Sequence, residues 1–294
     1  MNDHSTNDKK IRPSTIEGIF YPGEKNALSV RLQELLNHTD GGKTEPPAEN
    51  VYSIIVPHAA FDYSGEIAAA AYKGISGREI ETVVLLGPVH REPVEAVILP
   101  QSQIFQTPLG SVTVDEEAVK KLAALSSSFR VDDIPHLEEH CLEAQLPFIQ
   151  YLLPNALIVP ILLGKPTRAL VELLTNSLWE LYSGRMNSTL FVVTANMTGN
   201  TSQEKGREEL DQVLSWIVKG DWESLSEAAE HRRISSCGAG CVAAILLMHS
   251  KLKGAISVLK QGSSLQIVKD PKKVVHYAAI VLQCRWSTGG WSLT

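Results

Sequence analysis

Short apolar runs closed by glycine or proline recur along the chain, and most are followed by a stretch with helical periodicity. Val51–Val56 is rich in β-branched residues, ends at Pro57-His58 and leads into the small-residue stretch Gly65 to Tyr72. Thr82–Leu86 runs into Gly87-Pro88-Val89-His90. Ala156–Leu163 is closed by Gly164 and followed by a helical segment, Arg168 to Tyr182. Thr189–Val193 precedes Thr194 to Asn200 and a charged amphipathic stretch, Ser202 to Val218. Apolar strands alternating with helices predict an α/β fold: a central, largely parallel or mixed sheet, flanked by helices on both faces. Leu28 to Leu36 has the spacing of an amphipathic helix. Val94–Leu99 and Gly110–Val114 are expected as an extra pair of strands near one edge, with Leu265–Val268 and Val274–Leu282 closing the other. Residues 1–10 look like a polar, disordered tail and 38–50 like a loop. No composition break divides 11–294, which predicts one domain.

Composition narrows the function. Hydrophobic residues are 44% and charged residues 20%, enough for a sizeable core. The net charge is −6, and the nearest basic cluster, Lys269 to Lys273, is broken by Asp270 and Pro271. Nucleic acid and anionic membrane are therefore not expected as partners. No run approaches the ~18 apolar residues of a membrane span. The polar opening lacks the apolar core of a secretory signal, so a cytoplasmic location is expected. The four cysteines (Cys141, Cys237, Cys241, Cys284) are then expected as reduced thiols.

Ligands of open α/β sheets collect beyond the carboxyl ends of the strands. His58, His90 and Asn196 each follow an expected strand end. Imidazole is a common metal ligand near neutral pH, although a loop histidine is more often an ordinary polar residue. Ser235-Ser236-Cys237-Gly238-Ala239-Gly240 precedes a long apolar helix from Cys241 to Leu252. A thiol at a helix N-terminus feels the positive end of the dipole, which favours the metal-binding thiolate. Cys241 is expected in the core, and Cys141 and Cys284 as structural. His136-Leu-Glu-Glu-His140 fits the H-x-x-E-H spacing of inverzincin metallopeptidases, while a charged helix start accounts for the same letters.

Several segments, in order, resemble the MEMO-like family, component B of the AmmeMemoRadiSam system. Arg12-Pro13 through Phe20-Tyr21-Pro22 looks like its opening. Val56-Pro57-His58-Ala59-Ala60-Phe61-Asp62-Tyr63-Ser64-Gly65 is similar to its P-H-A-G-Y-x-Y-S-G stretch. Leu86-Gly87-Pro88-Val89-His90 matches L-G-P-x-H, and Glu139 through Phe148 matches E-H-S-x-E-x-Q-L-P-F with Cys141 for serine. Cys237-Gly238 opens the penultimate helix and Tyr277-Ala278-Ala279 fits the last strand.

The resemblance implies a fold related to class III non-haem iron extradiol dioxygenases. It also implies a pocket lined by His58, His90 and Cys237 that takes iron or copper; by its donor chemistry, a thiolate with two imidazoles, the transition metal ion could equally be zinc. Asp62, Tyr63, His140, Glu143 and Asn196 are expected around that pocket. Radical-SAM and AMMECR-type proteins of the same system are the implied partners, with a small molecule or peptide in the cleft. One departure matters. The family's S-S-D-x-x-H run is here Thr194-Ala195-Asn196-Met197-Thr198-Gly199, and an amide or a glycine exchanges no proton at neutral pH. A metal-dependent or redox role is thus expected without dioxygenase chemistry. The alternative is a non-catalytic ligand- or protein-binding module using the same cleft. A zinc peptidase acting through His136 and His140 is the third reading.

Overall fold

A computed structural model describes residues 9–37, 50–91 and 94–284. Most of the expected tail (1–10) and the expected loop (38–50) lie outside them. In chain order the strands are β1 (Ile11–Arg12), β2 (Val51–Val56), β3 (Thr82–Pro88), β4 (Val97–Leu99), β5 (Ile104–Thr107), β6 (Gly110–Thr113), β7 (Phe129–Val131), β8 (Leu157–Leu163), β9 (Thr189–Thr194), β10 (Ile256–Ser263) and β11 (His276–Gln283). The helices are α1 (Lys25–Asn37), α2 (Phe61–Lys73), α3 (Glu116–Leu125), α4 (Asp133–Glu138), α5 (Leu146–Leu152), α6 (Arg168–Tyr182), α7 (Gln203–Lys219), α8 (Trp222–Glu230) and α9 (Ala239–Leu252).

Eight of these strands form one mixed sheet in the order β10-β11-β2-β9-β3-β8-β4-β7. Its centre, β2-β9-β3-β8, is parallel, while β11 and β4 flank it antiparallel. Every residue of β2, β3 and β9 is buried, which is why these strands read as continuous apolar runs rather than alternating ones. Helices cover both faces. Along β11, His276 faces Gly206 of α7, while its neighbour Tyr277 pairs with Gly262, which faces Ile67 of α2. Successive strand residues point to opposite faces, so α2 and α7 lie on different sides. The molecule is a single α/β domain.

Two expectations at the edges are corrected. Gly110–Thr113 does not join Val97–Leu99; it pairs with β5, which pairs with β1, in a separate small sheet. The edge partner of β11 is β10, and Leu265 lies instead in a short 3-10 turn, Ser264–Gln266.

The parallel register sets up the functional end of the sheet. Val56 pairs with Thr194, and Leu86 with Val193. The last residues of β2, β3 and β9 are Val56, Pro88 and Thr194, and His58, His90 and Asn196 each stand two positions on. Three adjacent strands thus deliver three polar side chains to one rim.

Candidate metal centre

The rim is completed by two further segments. Helix α4 ends at Glu138, and Glu139 (φ −88°, ψ 133°) turns the chain extended, so His140 leaves the helix and points elsewhere than His136. Cys237 precedes α9, and Gly238 lets that helix start close against the end of β9. An added Cβ at Gly238 would lie 2.4 Å from the Ala195 Cβ and 2.5 Å from the Thr194 carbonyl oxygen. Gly238→Ala should therefore push α9 outward and lower stability by about 1–3 kcal/mol, read as a lower denaturation midpoint. An unchanged midpoint would mean the close approach is not needed.

His58, His90 and His140 offer ligand atoms that all lie within 4.8 Å of one another. Their ring centroids are 5.2 Å (58–90), 5.5 Å (58–140) and 5.1 Å (90–140) apart. The Cys237 Sγ is 3.2 Å from His58 Nε2. Both strand-end imidazoles are held from behind. His90 Nδ1 is 2.7 Å from a carboxylate oxygen of Glu139, whose other oxygen accepts the His90 backbone N–H. A carboxylate can only accept, so Nδ1 carries a proton and Nε2 is the nitrogen left to face the site. His58 Nδ1 is 2.8 Å from Thr194 Oγ1, and Gln145 Nε2 donates to the same oxygen at 3.2 Å and to the Pro57 carbonyl at 2.9 Å. Tyr72 Oη donates to Gln145 in turn. Asn196 does not point its amide oxygen at a ligand; that oxygen accepts the His58 backbone N–H at 3.2 Å.

The charges follow from this packing. Burial alone would raise the Cys237 thiol, but His58 and His90 beside it hold it down at about 5. Burial opposes protonation of His90, yet Cys237 and Glu139 raise it far above an ordinary histidine. His140 is pulled down to about 4 by burial and by the two neighbouring imidazoles. The site thus pairs a thiolate with an imidazolium, beside a third imidazole kept neutral. A cation entering it would displace protons and take over their compensating charge.

The profile described as "Memo-like protein" matches residues 12–281. The chain belongs to the Memo-like family. Among relatives, a "MEMO1 family protein" of Nitrosopumilus maritimus is 30% identical over 274 residues, covering 92% of this chain and 98% of that protein. Others bearing the same name, from Sulfolobus acidocaldarius and Caldivirga maquilingensis, are 29% and 31% identical at the same coverage.

Of the pocket residues expected for a Memo-like chain, the structure gathers His58, His90, Cys237, His140 and Asn196 at one rim. Asp62 stands apart, 79% exposed and 3.3 Å from Arg31 on α1. Tyr63 is half-buried against the core. Glu143 is fully buried, with its carboxylate turned to the N-terminal segment. It pairs with Arg12 and accepts hydrogen bonds from Ser14, Thr15, Ile16 and Tyr21. The same segment brings the Phe20 ring within 5.1 Å of His140, so it walls the site.

The inverzincin pattern at 136–140 is not one helical face. His136 Nε2 lies 3.2 Å from the Ile98 carbonyl, its ring is buried against Phe105, and its burial holds it down at about 4. It belongs to no metal-capable group among the described residues. Glu139, Thr194 and Gln145, which orient the imidazoles, were not assigned from sequence. Glu139 and Gln145 are themselves letters of the E-H-S-x-E-x-Q-L-P-F segment, but nothing in their spacing tells which ring they hold.

No helix among the described residues is long and apolar enough to cross a membrane.

Proposed function

We propose that this Memo-like chain binds one transition metal ion through His58, His90 and Cys237, with His140 beside it, and serves a metal-dependent or redox role in a reducing cytoplasm. The supporting observation is that the Nδ1 atoms of His58 and His90 are both tied back, by Thr194 and Glu139, while the thiolate lies 3.2 Å from His58 Nε2. Metal-ligating histidines characteristically carry such an outer partner on the second ring nitrogen. A thiolate with imidazoles suits Cu(I), Zn(II) or Fe(II) better than magnesium or calcium. Such an ion would act as a Lewis acid or electron carrier; the chain's own part is to orient the rings, keep His140 neutral and set the charge around the ion. Crystals soaked separately in the three ions should give one anomalous peak between His58, His90 and Cys237. Absence of a peak there at all three absorption edges would sink the reading.

A second reading, a binding module without turnover, is favoured by Asn196 and Gly199. Asn196 is spent on the His58 backbone, and the Gly199 N–H donates to Ser235 Oγ at 2.7 Å. Neither position can deliver a proton. Under this reading chelation leaves affinity for the occupant of the cleft unchanged.

A further inference from the structure

A cleft of about 220 Å³ opens at the C-terminal ends of β3 and β8 and reaches the thiol side of the centre, with Val89, Leu163, Ser236 and Cys237 among its walls. Two cations line it, Lys165 from the β8–α6 loop and Arg232 from the α8–α9 loop. Both are exposed, and neither has an ion-pair partner among the described residues. The adjacent Arg233 makes a useful contrast, because Glu227 already neutralises it. One carboxylate also lines the cleft, that of Glu230, but its Oε2 accepts the Arg168 backbone N–H at 3.1 Å, where α6 begins. Arg232 has a φ of +53°, a position where glycine is the usual residue, yet here the chain carries a cation. The first turn of α9 also contributes Gly240 to the wall, and the positive end of that helix adds to the field of the two side chains.

In a chain of net charge −6, a concavity lined by two cations against one carboxylate is net positive, which concentrates anions there. We propose that this cleft docks the anionic group, a carboxylate or a phosphate, of the small molecule handled at the neighbouring centre, with Lys165 and Arg232 as its counter-charges. The idea that the docked molecule then meets a metal rests on the function proposed above; the anion site itself does not.

Cys237 reports on the cleft directly. The full-length, metal-free protein is alkylated in parallel with anionic iodoacetate and neutral iodoacetamide, and modification of Cys237 is followed by peptide mass spectrometry. The buried Cys141, Cys241 and Cys284 serve as internal controls. In the Lys165→Gln/Arg232→Gln variant the iodoacetate-to-iodoacetamide rate ratio at Cys237 should fall about four-fold. That is the effect of two unit charges removed at roughly 10 Å in a well-solvated cleft. The iodoacetamide rate itself should not change, which guards against a merely unfolded variant. In separate arms, inorganic phosphate and malonate should slow iodoacetamide attack on the wild-type protein but not on the variant. Protection by one at lower concentration tells phosphate from carboxylate. An unchanged ratio, or no protection of the wild type by either anion, overturns the proposal. Since no metal is present, such a failure leaves the metal reading standing, and a missing anomalous peak leaves this one standing.

Discussion

Glu143→Ala is expected to destabilise the protein by about 3–5 kcal/mol, more than any substitution at His58, His90 or Cys237. The carboxylate and the Arg12 guanidinium are both almost wholly removed from water. Arg12 also donates to the carbonyls of Pro13, His136 and Glu139 and to Thr15 Oγ1, so it cannot swing out to solvent without breaking these. Removing one member of a buried pair leaves the other's charge uncompensated, which costs far more than the pair contributes when intact. Two backbone N–H groups, of Thr15 and Ile16, and the Tyr21 hydroxyl lose their acceptor at the same time. For a chain of this length the loss corresponds to a fall in melting temperature of roughly 5–8 °C. Glu143→Gln keeps an acceptor and should lose less.

The pH dependence has a definite sign. Burial would raise the Glu143 pKa, but Arg12 and the surrounding donors hold it below the ordinary carboxylate range. Its contribution is therefore complete above the unfolded value near 4.5 and is lost as pH falls through the lower folded value. The wild type should lose stability below about pH 4.5 more steeply than Glu143→Ala, which has already lost the pair. A variant within about 1 kcal/mol of wild type at pH 7 would show that the N-terminal segment is held by packing alone.

What the chain's pattern made legible, and what it hid, follows the range of the interactions involved. The buried strands at 51–56, 82–88 and 189–194 declare themselves because both faces are covered and every position is apolar or small. Helix α6 begins where expected because Thr167 caps it, accepting the Leu170 N–H. The edge strand β10 does not show in the sequence because its register shifts between Val258 and Lys260, which breaks the alternation a half-exposed strand normally shows. The sheet to which β6 belongs is not legible locally, because the β1 strand that completes its small sheet lies far away in sequence. The histidines and Cys237 stand out as residue types at strand and helix ends. Glu139, Thr194 and Arg12 do not, since their roles exist only once the chain has folded back on itself. Asp62 illustrates the converse: adjacency to a motif places a residue on the right helix but not on the right face.

Substitutions at the centre should separate ligands from the residues that aim them. His58→Ala and Cys237→Ala each remove a donor atom and are expected to weaken Zn(II) or Fe(II) binding by at least about 100-fold, measured by competition with a chromophoric chelator at pH 7.5. Glu139→Gln leaves all donors in place. It replaces the carboxylate that accepts from His90 Nδ1, 2.7 Å away, with an amide that can still accept but carries no charge. Loss of such an outer partner lowers affinity about 10–100-fold without moving the ion, so the anomalous peak should stay where it is. Thr194→Val tests the corresponding support behind His58, where the hydroxyl is 2.8 Å from Nδ1. Asp62→Ala, at an exposed side chain paired among the described residues with Arg31, should bind metal as the wild type does. If His58→Ala and Cys237→Ala retained wild-type affinity while Glu139→Gln lost it, the ion would be bound around Glu139 and Cys141 beside His90, the neighbouring group of potential donors, and the ligand assignment would have to move there.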